Sequence, residues 1–313
     1  MRAKKNKVIE ETDKYGQLKK DKLLDIGFEP MCSCPKSHIN CLTPKNWIKG
    51  QVAIWDLFYE NRDIRDKNIH PAAFPITLPA RCIELFTHRG ELVLDPFVGT
   101  GSTLVAAQDL ERNAVGFDLK REYVDLSNSR LKQSTLFGSN TKQLAIEGDA
   151  REIPDYLSDG TVALVVTSPP YANMLNKQRL NKTYRSDLRR NEHYLKNLQY
   201  SMDSRDLGTM QAEQYADSIA KIYKGILPLL KPKGHCIINV NDLWENNRRI
   251  LLHALIIEAL RSVGYELRNI IIWDKRNLVN KVGIYGWPNN FITLSITFEY
   301  ILDFWRPPEV HPR

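Results

Sequence analysis

Asp95-Pro96-Phe97-Val98-Gly99-Thr100-Gly101-Ser102 is the stretch on which the reading of this sequence turns. Leu92-Val93-Leu94, just before it, is a short apolar run of the kind that forms a buried strand, and residues 103–110, just after it, carry a helical pattern. A strand that passes through glycines into a helix marks the place where a doubly wound sheet receives its ligand. Glycine lacks Cβ, so it permits unusual backbone angles and close approach of a ligand. The spacing is too short for the dinucleotide fingerprint Gly-x-Gly-x-x-Gly, and the Gly-Lys-Ser/Thr of a P-loop is missing. Both phosphate-binding readings therefore fall.

Working outward, apolar runs and helical patterns alternate. Residues 114–118 read as a second strand, followed by a helix over 121–131. Residues 144–147 and 163–167 read as the third and fourth strands. Tyr215, Ile219, Ile222, Ile226 and Leu230 form a helical stripe that Lys231-Pro232-Lys233-Gly234 stops. A fifth strand at 236–240 and a helix at 250–262 follow. Two last strands, 267–273 and 297–304, form a pair placed as an antiparallel edge. This βαβα rhythm predicts an α/β fold whose sheet is covered on both faces. Seven strands are expected, mostly parallel, with an antiparallel final strand.

Two segments stand outside the rhythm. Residues 1–68 form an N-terminal extension, lysine-rich and loosely ordered up to about residue 25. Within it, Trp47, Ile48, Val52, Trp55 and Phe58 lie near helical spacing and predict a short amphipathic helix over 47–59. Residues 69–313 form the main domain, interrupted by a polar, basic insertion at about 172–211. A loop that long inside a compact domain is functional or disordered.

Composition narrows the classes. The 313 residues are 42% hydrophobic and 26% charged, ordinary for a globular enzyme. No apolar run approaches the roughly 18 residues of a membrane span. The basic N-terminus lacks the apolar stretch of a secretory signal, so a cytoplasmic protein with no membrane partner is expected. A formal charge of +7 and a pI of about 9.0 permit a polyanionic partner. Five cysteines and no export signal argue against a disulfide framework. Cys82 and Cys236 fall in apolar patterns and belong to the core. Cys32, Cys34, His38 and Cys41 lie close together, either as a small zinc site or as a polar loop that holds three thiols. Their spacing is too compressed for paired zinc knuckles, and no metal is assigned.

Asp118 ends the second strand some 20 residues after the glycines, where a carboxylate can accept hydrogen bonds from ribose hydroxyls. Asp149 follows the third strand, placed to accept from an adenine amino group. Either alone reads equally well as a helix cap or turn residue. Acidic groups at three successive strand ends point instead to a nucleoside-containing ligand. Thr167-Ser168-Pro169-Pro170-Tyr171 follows the fourth strand; in isolation it would be a proline-rich turn.

Together these motifs resemble the amino-group DNA methyltransferases of restriction-modification type. His70-Pro71-Ala72-Ala73-Phe74-Pro75 with Leu78-Pro79 is similar to the family's leading motif. Asp95 to Ser102 is similar to its cofactor loop, Thr167 to Tyr171 to its catalytic motif, and Phe298-Glu299-Tyr300-Ile301-Leu302, more weakly, to its late strand. The resemblance implies the S-adenosylmethionine-dependent methyltransferase fold, which is Rossmann-like. It implies S-adenosyl-L-methionine bound by Asp95, Phe97, Gly99, Gly101, Ser102, Asp118 and Asp149. It implies a catalytic loop of Ser168, Pro169, Pro170 and Tyr171.

The implied substrate is double-stranded DNA with the target base flipped out of the helix. An exocyclic amino nitrogen is a poor nucleophile because its lone pair is delocalised into the ring. In the family, the side chain at Ser168 and the carbonyl at Pro169 accept its two N–H bonds, and Tyr171 stacks on the base. The Thr-Ser-Pro-Pro-Tyr form is more typical of cytosine N4 enzymes than of adenine N6 enzymes. No metal is required. A cytosine C5 mechanism needs an attacking thiolate, and its Pro-Cys pair is absent. Lys177, Arg179, Lys182, Arg185, Arg189 and Arg190 of the insertion are expected on the phosphate backbone, with Tyr184 or Tyr194 near the bases. Trp244 and Trp287 fit either the base pocket or the core.

Two departures matter. In many members with this leading motif the catalytic motif precedes the cofactor loop; here the loop comes first. The chain also ends soon after Phe298-Glu299-Tyr300, so target recognition is expected from residues 1–68, from the insertion, or from a specificity partner. A cognate restriction endonuclease is a further partner that the resemblance implies. The same reaction on adenine N6, an RNA-base methyltransferase and a catalytically silent DNA-binding subunit remain as alternatives.

Overall fold

The computed structural model describes residues 23–66, 74–134, 140–171, 203, 205–245, 248–278, 286–287, 291–292 and 296–308. Along these, α1 (Pro44–Gly50) leads into β1 (Ile54–Asp56) and α2 (Asn61–Asp66). Then come α3 (Thr77–Phe86), β2 (Leu92–Asp95), α4 (Ser102–Asp109), β3 (Asn113–Asp118), α5 (Arg121–Ser134), β4 (Gln143–Glu147) and β5 (Val162–Thr167). The second half supplies α6 (Ala212–Ile226), β6 (Leu230–Val240), a small hairpin of β7 (Leu243–Glu245) and β8 (Arg248–Ile250), α7 (Leu252–Ser262) and β9 (Glu266–Asp274). A second hairpin, β10 (Gly286–Trp287) and β11 (Phe291–Ile292), precedes β12 (Phe298–Trp305).

The main sheet has eight strands in the order β1-β9-β12-β6-β5-β2-β3-β4. Only β12 runs against its neighbours, pairing antiparallel with both β6 and β9. The mostly parallel sheet and antiparallel final strand match the expectation, with two differences. The last pair does not close the edge, because β12 lies between β6 and β9. The edge is closed by an eighth strand, β1, which pairs in parallel with β9 through Ile54 and Ile272.

That eighth strand replaces most of the helix expected over 47–59. α1 ends at Gly50, and Ile54, Trp55 and Asp56 then alternate outward, inward and outward. Trp55 is buried, whereas Ile48, Val52 and Phe58 are exposed. The helical spacing of these side chains thus formed no continuous apolar face: Trp47 is half-buried on α1, and Trp55 of β1 carries most of the burial.

The central strands β2 and β5 are buried on both sides, as parallel strands covered by crossover helices must be, whereas β1 and β9 at one edge leave Ile54 and Ile270 exposed. Leu92 and Leu94 of β2 face one cluster with Tyr215, Ile219 and Tyr223 of α6 and with Ile256 of α7. Val93 faces the other, with Ile83 of α3 and Leu104 of α4. Each fully buried aliphatic side chain of this kind stabilises the fold by about 1.5–3 kcal/mol. Cys82 and Cys236 are fully buried, one in each cluster. Among the described residues, no helix is long and apolar enough to cross a membrane.

Candidate active site

β2 has β3 on one side and β5 on the other, all parallel. The chain first winds outward through β3 and β4, then returns to β5. Ligands of open α/β sheets bind at the carboxyl ends of strands flanking such a reversal. A cleft opens there, lined by residues from 96–102, 118–123, 148–151, 168–171 and 205–207 together with Phe74 and Ile222.

The glycine loop is fixed from behind. Asp95 is fully buried, and its carboxylate accepts from Thr167 Oγ1 (2.5 Å), Thr103 Oγ1 (2.5 Å) and the Phe97 amide (3.1 Å). It thereby ties the ends of β2 and β5 to the start of α4. Burial pushes its carboxyl up to about 6, against the three hydrogen bonds. Gly101, at φ 82, caps α4 in the left-handed region. A Cβ there would collide with Ser127 Oγ and come within 2.9 Å of Ser127 Cβ on α5. Gly116 of β3 plays a matching part, since a Cβ would stand 2.6 Å from Val98 Cβ. Arg130 of α5 donates to the Thr100 carbonyl (2.9 Å) and hydroxyl (3.1 Å).

Of the seven expected cofactor residues, Phe97, Gly99, Ser102, Asp118 and Asp149 line the cleft. Asp95 and Gly101 do not; they hold the loop from outside it. Ser102 Oγ donates to the Phe74 carbonyl (3.1 Å), which sets Phe74 in the cleft wall. Asp118 accepts from the Gly99 amide (3.0 Å) with one oxygen and from the Lys120 amide (2.9 Å) with the other. Each carboxylate oxygen has a second lone pair, so hydroxyl donors can still be accepted. Burial raises its carboxyl to about 6. Asp149 caps the 3-10 turn Ala150–Asp155 through the Arg151 amide (2.9 Å) and pairs with the Arg151 guanidinium (2.7 Å). The capping role of Asp149 is therefore real, and the residue lines the cleft as well.

Sequence reasoning missed Lys120, Tyr123, Arg151, Arg205, Asp206 and Leu207 as lining residues. The last three lie near the end of the span assigned to the insertion, and no periodicity announces that they return to the strand ends. The basic ones are already engaged: Arg151 with Asp149, Arg205 with Asp203 (2.6 Å), Lys120 with Glu122 (3.5 Å) and with the Tyr123 ring face. The Gly99 and Gly101 amides are likewise spent inside the protein, on Asp118 and the Val98 carbonyl. Among the described residues, the cleft thus offers carboxylates, apolar walls and cations that are already paired.

Ser168, Pro169, Pro170 and Tyr171 line the same cleft as Gly99. Tyr171 is buried, and its hydroxyl lies 3.1 Å from Ser168 Oγ, donates to Glu299 of β12 (3.3 Å) and accepts from Asn239 of β6 (3.2 Å). Asn239 also donates to Glu299 (2.7 Å), whose other oxygen pairs with Lys275 (2.5 Å). The antiparallel register of β12, with Ile301 opposite Asn239 and Glu299 opposite Trp273, brings these groups together. Asn239 and Lys275 were not expected in the site; only Glu299, within the late-strand motif, carried a signal. Asn239 Oδ1 is buried and has no hydrogen-bond partner among the described residues.

Lys177, Arg179, Lys182, Arg185, Arg189, Arg190, Tyr184 and Tyr194 lie outside the described residues, as do residues 70–73 and the side chains of Trp244 and Trp287.

A family model described as DNA methylase matches residues 2–129 and 162–312. Over 105 residues the chain is 40% identical to the type II methyltransferase M.BglI of Bacillus subtilis, a stretch that covers 33% of this chain. Over 107 residues it is 35% identical to the type II methyltransferase M.MthZI of Methanothermobacter thermautotrophicus, again 33% of this chain. The matched stretch spans 28% of the length of each of these relatives. Among solved structures, a TehB-like SAM-dependent methyltransferase from Corynebacterium glutamicum superposes with a TM-score of 0.44 at 15% identity, over 79% of this chain and 96% of the other.

Proposed function

Since the chain belongs to the DNA methylase family, we propose that it transfers a methyl group from S-adenosyl-L-methionine to an exocyclic amino group of a base in duplex DNA, with cytosine N4 as the target. The observation that carries this reading is one cleft lined both by the glycine loop with Asp118 and by Ser168-Pro169-Pro170-Tyr171. The residues present fit the cofactor. Asp118 has lone pairs left for ribose hydroxyls, Phe97 and Leu207 offer apolar walls to a purine, and Asp149 lies near as an acceptor. The cleft's cations are paired, which suits a nucleoside ligand without phosphates.

When bound, S-adenosyl-L-methionine supplies a methyl group on a positively charged sulfur that leaves readily. The chain's own task is to present the amino nitrogen. Ser168 Oγ and the Pro169 carbonyl accept its two N–H bonds, which turns the lone pair toward the methyl carbon. Consecutive prolines have fixed φ, so the carbonyl direction is set before the base arrives. Tyr171 supplies an aromatic surface for the flipped base while Glu299 and Asn239 hold its hydroxyl. Positioning and electrostatics supply the acceleration. The basic insertion, through Lys177, Arg179, Lys182, Arg185, Arg189 and Arg190, contacts the phosphate backbone. Residues 1–68, the insertion or a specificity partner reads the target, and a cognate endonuclease shares it.

The test is to methylate unmodified genomic DNA with the purified protein, digest it to nucleosides and identify the product. N4-methyldeoxycytidine supports the reading; N6-methyldeoxyadenosine keeps the chemistry and replaces the base. Label appearing only in tRNA, or binding of DNA with no transfer at all, would overturn it.

A further inference from the structure

Three thiols and an imidazole converge at the join between the N-terminal extension and the main domain, away from the residues of the cleft. Cys32 and Cys34 lie on the extended segment that leads to α1. Two turns bring the chain back: the His38 amide donates to the Pro35 carbonyl (2.9 Å), and Ile39 bridges Leu42. Asn40, at φ 53, makes the second turn in the left-handed region that asparagine tolerates. Its side chain donates to the Leu85 carbonyl at the end of α3. Cys41 thus returns beside Cys32 and Cys34. The fourth group is His88, from the short link between α3 and β2. Sequence proximity pointed to His38 instead; His38 lies outside the group.

We propose that Cys32, Cys34, Cys41 and His88 hold one structural zinc ion that fastens the N-terminal extension to the methyltransferase domain. Their ligand atoms all lie within 4.8 Å of one another. The sulfur pairs Cys34–Cys41 and Cys32–Cys41 are each 3.6 Å apart. The His88 Nδ1 atom is 3.3 Å from Cys32 Sγ and 3.8 Å from Cys41 Sγ. A tetrahedral zinc with bonds of about 2.3 Å to sulfur and 2.0–2.1 Å to nitrogen needs S···S edges of about 3.8 Å and S···N edges of about 3.5 Å. The two S···N distances, 3.3 and 3.8 Å, bracket their value, and the two S···S distances of 3.6 Å fall slightly short of theirs. A disulfide explains the arrangement less well, because it would use two sulfurs and leave a third beside the ring. Thiolate-rich tetrahedra select zinc over the hard cations.

The surroundings support a held site. The Arg89 amide donates to Cys41 Sγ (3.3 Å), the kind of contact that orients a metal-bound thiolate. The Met31 amide donates to the Arg89 carbonyl (2.7 Å), and the His88 amide donates to Glu91 (2.7 Å). Lys231 then links Glu91 (2.8 Å) to the Phe28 carbonyl (3.0 Å). The same short link that carries His88 runs directly into β2 and the glycine loop. The compressed spacing of the three cysteines, an argument against zinc while His38 was the fourth ligand, loses its force once the fourth ligand comes from His88. This inference does not depend on the methyl-transfer reading.

Metal analysis of the full chain purified without chelator is expected to give one zinc per chain. Cobalt(II) in place of zinc should show the intense visible bands of a tetrahedral, thiolate-bound ion. Cys34→Ala and His88→Ala should each lose the stoichiometric metal, whereas His38→Ala should keep it. If either ligand variant fails to fold, thiol titration of the parent decides. Cys32, Cys34 and Cys41 should react with a thiol reagent only after chelation, and chelation should lower the melting temperature. Protein that neither carries zinc nor takes up added zinc or cobalt, with those thiols freely reactive throughout, would overturn the assignment. Loss of metal from His38→Ala would overturn the choice of His88.

Discussion

Gly101 stands behind the cofactor loop, and its replacement by alanine separates two accounts of a glycine that sequence alone assigns to the ligand. Its φ of 82 costs a residue with Cβ about 1–2 kcal/mol. The added methyl would also meet Ser127 Oγ and stand 2.9 Å from Ser127 Cβ, an overpacking that costs roughly 1–3 kcal/mol. Gly101→Ala should therefore lose about 2–5 kcal/mol from a total of roughly 5–15 kcal/mol. Urea denaturation should show a lower midpoint with an unchanged slope. Ser127→Gly removes the atoms in the way, at about 1 kcal/mol for a glycine inside α5. In the double variant the steric part should return and only the backbone part remain, a coupling of about 1–3 kcal/mol. A loss below about 1 kcal/mol in Gly101→Ala, or no coupling to Ser127, would refute the reasoning. So would weakened cofactor binding with stability intact.

Three further outcomes are expected. Burial raises the Asp118 carboxyl from 3.8 to about 6, and a ribose needs it ionised, so cofactor affinity should be full above pH 6 and fall as pH drops through it. The stability term runs the other way: a carboxyl raised in the folded state contributes fully below about pH 3.8 and loses that contribution as pH rises through 6. Calorimetric titration of the cofactor between pH 5 and 8 checks the first sign, and thermal melts check the second. Ser168→Ala should abolish transfer and Tyr171→Phe, which removes the hydroxyl shared by Ser168, Glu299 and Asn239, should slow it by about tenfold or more, with cofactor affinity unchanged in both. Replacing Arg185 and Arg189 together with alanine should reduce the slope of log affinity for DNA against log salt by about 2, if each neutralises one phosphate.

Much of the fold was legible because parallel strands buried on both faces give continuous apolar runs between helical stripes. Leu92-Val93-Leu94 and Val162–Thr167 needed no partner to be recognised. β1 was not legible. It is three residues long, and one buried side chain, Trp55, fits a helical period as well as an alternating one. The site divided along the same line. Asp118, Ser168 and Tyr171 sit within local motifs at strand ends, so adjacency in the chain reported adjacency in space. Asn239 and Glu299 meet Tyr171, and Lys275 meets Glu299, only through the register of β12 against β6 and β9. Asp95 shows the reverse limit, since a motif residue can hold the loop from behind without lining the cleft. His88 stands 47 residues from Cys41, and local spacing points to the nearer His38 instead.

The methyl-transfer reading needs the cleft beside Gly99 to be where the methyl donor sits. Calorimetric titration of S-adenosyl-L-methionine into the parent and into Asp118→Ala asks this directly. Loss of the charged acceptor should weaken binding by roughly 10- to 100-fold, the range of a charge-assisted hydrogen bond. A variant that folds normally and binds as tightly as the parent would contradict the account.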